Sequence, residues 1–196
     1  MKPSLRRRNV VKSLLRDRKN LLVVAGLGST AWDCTAAGDS PLTFPLWGAM
    51  GQAAMMGLGL ALAQPKRRVL VITGDGEMLM GMGSLATIGV QKPANLSVVV
   101  IDNERYGETG MQATHTASGI DLAGVAKSCL FRTSSVIASS DGLSKLKKLI
   151  HEQPGPHFAV VKVAAEKIPL VLPPREGALL KARFRRALLG PEADLA

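Results

Sequence analysis

Hydrophobic positions along the chain fall into short continuous runs that alternate with segments of helical periodicity. Apolar runs cover 20–26, 67–74, 95–103 and 155–163, and an extended segment broken by two prolines covers 40–47. Helical patterns cover 4–18, 51–63, 78–90, 121–130, 139–153 and 176–189. Strands that are apolar at every position are typical of a parallel sheet covered on both faces. The pattern therefore predicts an α/β fold, a three-layer doubly wound sheet that is mostly parallel.

The loops that follow the strands are the candidate ligand sites, because ligands of such sheets bind at the carboxyl ends of strands. The first loop, residues 26–31, reads GLGSTA and matches the G-x-G-x-x-A pattern of dinucleotide sites. Gly38, Pro41 and Pro45 follow soon after it, which leaves little room for a phosphate-binding helix, and no acidic residue ends the next strand. We interpret this loop as a tight turn that packs against a helix.

The second loop carries a lone carboxylate, Asp75, between Gly74 and Gly76. An aspartate here could cap the following helix, whereas the flanking glycines favour close approach of the backbone to a ligand. Asn103 ends the next apolar run, so in neighbouring parallel strands the two side chains would lie side by side. One carboxylate and one amide oxygen suit Mg²⁺ or Ca²⁺, and Mg²⁺ often completes its coordination with phosphate oxygens and water. These residues therefore predict a cation that bridges to a diphosphate.

Composition and charge narrow the classes of protein. The 196 residues, 46% of them hydrophobic, are enough for one domain with a core. The formal net charge is +10, and much of it lies at the two ends of the chain. These ends lack the interleaved aromatic residues that stack on nucleic-acid bases, so we expect a solvated helical face or an acidic partner, with a basic nucleic-acid-binding or regulatory module as the alternative. We predict one α/β domain over 1–165, followed by a linker and a basic C-terminal helix over 166–196.

The sequence also bears on location. The apolar stretches are too short or too interrupted to span a bilayer, and the basic N-terminal segment is not followed by the apolar region of a secretory signal. Cys34 and Cys129 are far apart and form no metal-binding spacing. We therefore expect a cytoplasmic protein with two free thiols and no membrane contact.

Gly74-Asp75-Gly76, followed by 26 residues and then Asn103, resembles the motif of thiamine diphosphate-dependent enzymes. The segments NERYG at 103–107 and LWGAMGQAAMMGLGLALAQPKRRVLVITGDG at 46–76 strengthen the resemblance, which extends over about 20–163. It implies the thiamine diphosphate-binding fold, with thiamine diphosphate and Mg²⁺ as cofactors.

The resemblance also implies roles for individual residues. Asp75 and Asn103 would bind Mg²⁺ through their side chains, and Arg105 would do so through its main-chain carbonyl. The residues implied to line the diphosphate are Gly74, Gly76, Glu77, Tyr106 and Gly107. Gly48 and Met50 fall where the family places an apolar residue beneath the bent cofactor, and Met50 would hold that bend. The alternatives are an ordinary core methionine at 50 and a packed loop aromatic at 106.

A chain of this length holds only the diphosphate-binding half of such an enzyme. It is most similar to split enzymes of the sulfopyruvate and phosphonopyruvate decarboxylase type, which implies a hetero-oligomeric 2-oxoacid decarboxylase. A partner subunit with the pyrimidine-binding domain would supply the activating glutamate. The alternatives within the family are an acetolactate synthase-like carboligase half and an oxidative decarboxylase, although two cysteines cannot supply a four-cysteine cluster.

The loop 104–119 holds the remaining candidates. His115 is either a proton donor or anion contact near the substrate, or a residue that forms only local hydrogen bonds. Glu108 and Gln112 are further candidates of the same kind. Met111 and Ala113 differ from the pattern of the decarboxylases in this loop, so the choice of oxoacid stays open.

Overall fold

The computed structural model describes residues 5–194. The first four residues of the predicted domain, which include the start of the predicted first helix, and the last two of the predicted C-terminal segment lie outside this range. The strands are β1 (Leu22–Ala25), β2 (Thr43–Pro45), β3 (Val69–Gly74), β4 (Leu96–Asp102), β5 (Arg105–Tyr106), β6 (Gln112–Ala113), β7 (Thr133–Ile137) and β8 (His157–Lys162). The α-helices are α1 (Arg7–Leu15), α2 (Ser29–Ala36), α3 (Ala53–Ala63), α4 (Asp75–Met80), α5 (Ser84–Gln91), α6 (Leu122–Ser128), α7 (Ser140–Glu152) and α8 (Gly177–Leu189), with 3-10 helices at His115–Ser118 and Gly190–Asp194.

Six strands form one parallel sheet in the order β2-β1-β3-β4-β8-β7, while β5 and β6 form a separate antiparallel hairpin. The chain leaves β1 for β2 on one side and returns to β3 on the other. The strand order therefore reverses between β1 and β3, and such a reversal opens a crevice at the carboxyl ends of the two strands. The prediction of a doubly wound, mostly parallel sheet is confirmed.

Alternate residues of each central strand face opposite helical layers. In β3, Val69 and Val71 pack with α3, α4, α5 and α6, whereas Leu70 and Ile72 pack with α1, α2 and α7. All four side chains are at most 1% exposed. Burial on both faces explains why the central strands are apolar at successive positions.

Several elements differ from the sequence predictions. The eight-residue helix α2 follows the first loop, where little room was expected, because it ends at Ala36 before Gly38 and Pro41. Two helices, α4 and α5, replace the single helix predicted over 78–90, since α4 ends at Met80 and its C-cap Gly81 lies against the backbone of Gly51. Strand β7 was not predicted, because this edge strand is only partly buried and reads TSSVI.

The C-terminal segment packs on the domain. Arg8 Nη2 donates a hydrogen bond to the Pro169 carbonyl (2.7 Å), and the Phe184 ring of α8 lies 5.3 Å from the Phe44 ring of β2. The division at residue 165 stays a prediction. Both cysteines are free, as predicted, and burial raises the pKa of Cys34 to about 12. Within residues 5–194, no helix combines the length and apolar character needed to cross a bilayer.

Candidate functional site

A cleft opens where the strand order reverses, at the carboxyl ends of β1, β3 and β4. Its cavity is about 160 Å³. The lining residues are Arg7, Leu27, Ser29, Met50, Gly74, Asp75, Gly76, Glu77, Ile101, Asn103, Arg105, Tyr106, Gly107, Glu108 and Thr109. The three loops that the sequence marked as ligand sites therefore meet at one place, and the loop after β1, interpreted as a tight turn, forms one wall of the cleft.

Asp75 and Asn103 come together because β3 and β4 are parallel neighbours, with Gly74 paired to Ile101. Asp75 is 2% exposed, and its Oδ2 accepts hydrogen bonds from the Thr114 hydroxyl (2.5 Å) and the Thr116 hydroxyl (3.3 Å). The N-cap of α4 is Gly74, so the carboxylate of Asp75 is held by two threonines rather than serving as the helix cap. Both residues line the same cleft, at the ends of neighbouring parallel strands.

The environment of Asp75 disfavours its charge. Burial raises its pKa to about 6, and the nearby charge of Asp102 acts in the same direction, while the hydrogen bonds from Thr114 and Thr116 act against both. The Thr116 hydroxyl also lies 2.9 Å from Asp102 Oδ1, so this one hydroxyl contacts both carboxylates and shares its single hydrogen between them. Lys162 Nζ lies 2.8 Å from Asp102 Oδ2 and balances that acid. A cation beside Asp75 would relieve the same electrostatic strain.

Asn103 is oriented by a tight turn. Its Oδ1 accepts a hydrogen bond from the Arg105 backbone N–H (3.0 Å), and Glu104 between them has a left-handed φ of 61°. The turn places the Arg105 main chain beside the amide group of Asn103. The Arg105 guanidinium donates to the Glu104 carbonyl (2.8 Å).

The glycines of the GDG motif have different roles. A Cβ on Gly74 would meet nothing within 4 Å, so this residue leaves open space. A Cβ on Gly76 would lie 2.4 Å from the Tyr106 ring. Gly76 is therefore required for the packing of Tyr106, in addition to any clearance for a ligand.

Glu77 joins the two sides of the crevice. It is 4% exposed, and its Oε2 accepts hydrogen bonds from the Thr73 hydroxyl (2.8 Å) and the Leu27 backbone N–H (3.1 Å). Gly26 leaves room for it, because a Cβ there would overlap Glu77 Oε2. Burial raises the pKa of Glu77, and these hydrogen bonds oppose the rise. Its carboxylate thus fixes the loop after β1 against β3.

A second, more apolar cavity adjoins the cleft. It is lined by Met50, Gly76, Leu79, Met80, Met82, Tyr106, His115 and Ile120. Met50, Gly76 and Tyr106 line both cavities, so Met50 lies between them. His115 lines the apolar cavity and Glu108 the polar cleft, so the two catalytic candidates are not brought together.

Some residues that the sequence analysis assigned to the site lie outside both cavities, and some residues that line the cleft were not identified from the sequence. Gly48 is exposed in the bend between β2 and α3, and neither cavity includes it. Gln112 folds onto its own loop, where its amide donates to the Thr109 carbonyl (2.7 Å). Arg7 and Ser29 line the cleft but were not identified from the sequence. The G-x-G-x-x-A pattern was a signal for Ser29, whereas nothing distinguished Arg7 from the other basic residues near it.

The donor set fits a cation shared with a diphosphate. Among the described residues, no group of three or more His, Cys, Asp or Glu side chains could hold a metal ion by itself. One carboxylate, one amide oxygen and a nearby main chain are too few for a complete shell, but Mg²⁺ commonly takes its remaining ligands from phosphate and water. The open side of Gly74 leaves space for such a group, so Asp75 and Asn103 fit thiamine diphosphate with its metal.

Comparisons with known proteins agree with this geometry. The family model for the C-terminal TPP binding domain of thiamine pyrophosphate enzymes matches residues 28–163. The beta subunit of sulfopyruvate decarboxylase from Methanothermobacter thermautotrophicus is 44% identical over 142 residues, which are 72% of this chain and 73% of the relative. Phosphonopyruvate decarboxylase from Streptomyces viridochromogenes is 36% identical over 183 residues, which are 91% of this chain but 45% of the relative.

More distant proteins are similar in sequence or in fold. The large subunit of acetolactate synthase isozyme 1 from Escherichia coli is 28% identical over 138 residues, 65% of this chain and 24% of that protein. The crystal structure of benzoylformate decarboxylase from Polynucleobacter necessarius matches 85% of this chain and 34% of its own, with a TM-score of 0.71 and 21% identity. The family match, the identity to the beta subunit and the sheet topology agree, and the chain therefore belongs to the thiamine pyrophosphate enzymes, whose C-terminal TPP-binding domain it contains.

Proposed function

We propose that this chain is the diphosphate-binding subunit of a split thiamine diphosphate-dependent 2-oxoacid decarboxylase. The observation that carries the proposal is that Asp75 and Asn103, which follow the neighbouring strands β3 and β4, line one cleft, while Met50 lines both this cleft and the apolar cavity. Similarity to a beta subunit of sulfopyruvate decarboxylase over most of both chains supports it.

Each end of the cofactor has a counterpart in the cleft. Asp75, Asn103 and the Arg105 carbonyl would hold Mg²⁺, and Gly74, Gly76, Tyr106 and Gly107 would line the diphosphate. Glu77 lies in the same wall, where it positions the loop after β1. When bound, thiamine diphosphate supplies the carbon nucleophile that attacks the keto group and the electron sink for loss of CO₂. Met50 separates the polar cleft from the apolar cavity and would support the bend of the cofactor between them.

The apolar cavity is where we place the substrate and the partner subunit. His115 lies on this cavity, where it would act as a proton donor or as a contact for the oxoacid. Met80 is 66% exposed and Ile120 47% exposed at its rim, which suits a surface covered by another protein. The partner would bring the pyrimidine-binding domain and its glutamate. Glu108 lies on the polar cleft instead, so we assign the substrate side to His115.

The basic ends of the chain favour the enzyme over the nucleic-acid or regulatory alternative. Several of their arginines already pair with acids: Arg6 with Glu166, Arg8 with Asp33, and Arg183 with Asp39. Guanidinium groups engaged in this way are less available to phosphates of DNA or RNA. Two free thiols and the family of the chain support a cytoplasmic location as part of the proposal.

Calorimetric titration of the full chain with thiamine diphosphate and Mg²⁺ tests cofactor binding. We expect Asp75→Ala to abolish the Mg²⁺-dependent binding and Asp141→Ala, on the exposed face of α7, to leave it unchanged. Salt-dependent DNA binding that persists in Asp75→Ala, without cofactor binding in the wild type, would instead support the nucleic-acid alternative.

Turnover tests the split-subunit part of the proposal. Sulfopyruvate and phosphonopyruvate, the substrates named for the relatives, would be supplied with the chain alone and with a co-purified partner. We expect CO₂ and an aldehyde only with the partner. Robust turnover by the chain alone would contradict the need for a partner, and an acyloin product would favour the carboligase alternative.

A further inference from the structure

Arg7 is a buried cation in the cleft that the proposed function does not use. It is the first residue of α1 and is 4% exposed. It nonetheless lines the cleft together with Gly74, Asp75 and Asn103. A buried guanidinium needs compensation by hydrogen bonds and charge, so its partners reveal how much of its binding capacity is in use.

The hydrogen bonds of Arg7 use only one of its nitrogens. Nη1 donates to the Ser29 carbonyl (3.1 Å) and to Asp33 Oδ2 (2.5 Å). Nε and Nη2 make no hydrogen bond to any residue of 5–194. An arginine offers five N–H groups in a fixed planar fork suited to phosphate. Arg7 is therefore held in place from one side while the rest of its fork stays available.

The charge of Arg7 is only partly compensated. Asp33 is 1% exposed and also accepts a hydrogen bond from Arg8 Nε (3.0 Å). One carboxylate thus serves two guanidinium groups, and when it is ionised the cluster keeps one net positive charge. Arg8 lines neither the cleft nor the apolar cavity and directs its Nη2 to the Pro169 carbonyl.

The cleft needs a cation. Asp75, Glu77 and Glu108 contribute carboxylates to its lining, and the only cationic side chains among the lining residues are Arg7 and Arg105. The Arg105 guanidinium donates to the carbonyl of its own neighbour, Glu104. A diphosphate placed among these carboxylates would meet strong repulsion, which Mg²⁺ and one fixed guanidinium would offset together.

A carboxylate already lies in the field of Arg7. Glu108 extends over Gly28, which has a φ of +74°, and its Oε1 is 2.9 Å from the position a Cβ would take there. Partial burial raises the pKa of Glu108, and the charge of Arg7 opposes the rise. Arg7 and the loop that follows β1 thus form a site that attracts an anionic group, which in this chain is the carboxylate of Glu108.

We propose that Arg7 is a diphosphate-binding residue, whose Nε and Nη2 would donate hydrogen bonds to the diphosphate of the cofactor while Asp33 and the Ser29 carbonyl hold its Nη1. This inference rests on the proposed function, because it assigns a further contact to the same cofactor.

The test compares Arg7→Gln with the matched control Arg8→Gln in the full chain. Calorimetry with Mg²⁺ would give the Kd of thiamine diphosphate and, separately, of inorganic pyrophosphate. Loss of charge-assisted hydrogen bonds should weaken both ligands about 10- to 100-fold in Arg7→Gln and less than about threefold in Arg8→Gln. Arg7→Lys, which keeps the charge but not the fork, should bind with intermediate affinity and carries the test if Arg7→Gln does not fold.

Each other result is decisive. Equal affinities in Arg7→Gln and Arg8→Gln, with binding lost in Asp75→Ala, would overturn the role of Arg7 and leave the proposed function standing. A loss for thiamine diphosphate but not for pyrophosphate would also overturn it, as would a raised KM for the oxoacid at saturating cofactor with an unchanged cofactor Kd. A wild-type chain that binds neither ligand, alone or with its co-purified partner, would overturn both proposals.

Discussion

Two asparagines flank strand β4, and they show how a structural polar group differs from one that serves a ligand. Asn95, before the strand, donates its amide hydrogens to the carbonyls of Ala61, Gln64 and Arg67 at 2.8–3.1 Å. Asn103, after the strand, accepts a single hydrogen bond from the Arg105 backbone, and its side chain lies in the cleft. Both side chains are half-buried, so burial does not separate them. The difference is that the fold engages the whole NH₂ group of Asn95, whereas Asn103 makes one hydrogen bond and keeps most of its amide for a ligand.

The same contrast holds for the histidines. His157, at the amino end of β8, has its Nδ1 2.8 Å from the Thr133 hydroxyl and its Nε2 3.3 Å from the Gln153 carbonyl. Because a carbonyl can only accept, Nε2 carries the proton and Nδ1 accepts from Thr133. His115 is exposed at the carboxyl edge and lines the apolar cavity. At the amino edge of the sheet both ring nitrogens of His157 are therefore paired within the fold, whereas at the carboxyl edge the side chain of His115 lines a cavity.

The largest effect is expected at Asn103. Asn103→Ala should raise the Kd of thiamine diphosphate in the presence of Mg²⁺ by at least about 100-fold, because a cation ligand is lost. The midpoint of thermal unfolding without cofactor should hardly change, since only one local hydrogen bond is removed. Calorimetry and thermal unfolding measure the two quantities. A stability loss as large as the binding loss would show that Asn103 is as structural as Asn95.

The reciprocal change at Asn95 should lower stability instead. Asn95→Ala removes two N–H groups that three carbonyls share, and of these the Gln64 carbonyl keeps the Arg67 backbone N–H as a donor. At about 1 kcal/mol for each lost N–H we expect roughly 2 kcal/mol less free energy of unfolding. Urea denaturation measures this change. The cofactor affinity of the folded fraction should stay near that of the wild type. A loss of affinity without a loss of stability would contradict the structural role assigned to Asn95.

Asp75→Asn should stabilise the metal-free chain while abolishing Mg²⁺-dependent binding. The folded-state pKa of Asp75 is raised to about 6 from an ordinary value of 3.8, mainly by burial. The folded state therefore binds the proton more tightly than the unfolded state, and stability is lost as pH rises from about 4 to 6. Above pH 6 the neutral amide should gain roughly 1–3 kcal/mol over the carboxylate. Urea titrations at pH 4.5 and 7.5 measure the difference, and an equal or lower stability of the variant at pH 7.5 would contradict the expectation.

The smallest effect concerns His157. Burial lowers its pKa from the ordinary 6.5, and a hydrogen bond to the Gln153 carbonyl opposes this. The unfolded state then binds more protons, so His157 should cost stability as pH falls below 6.5, roughly 1 kcal/mol or less by pH 5.5. Asp75 changes the free energy of unfolding in the opposite direction as pH falls, so the measurement should be made in the Asp75→Asn variant. There, His157→Gln should reduce the dependence of the free energy of unfolding on pH. An unchanged slope would exclude His157 as its source.

The central strands were predictable because a strand that is buried on both faces needs apolar residues at successive positions, and such a run is visible in the sequence. The edge strand β7 was not, since Thr133, Ser134 and Ser135 are only partly buried and leave no such run. The break between α4 and α5 was also missed, because it depends on the close contact of Gly81 with Gly51, thirty residues earlier. Gly48 and Met50 lay two residues apart in the same motif, yet only Met50 reaches the cavities.

The sequence by itself determined the fold class, the family and the pair Asp75 and Asn103, because these follow from local periodicity and a fixed spacing along the chain. Only the tertiary structure decided which polar groups are left unsaturated. Arg7 and Asn95 look like ordinary surface residues until their partners are known, and those partners come from other elements of the fold. The physical reason is that a hydrogen bond or an ion pair depends on distance in space, and the reversal of strand order between β1 and β3 brings together residues as far apart in the chain as Arg7, Leu27, Asp75 and Glu108.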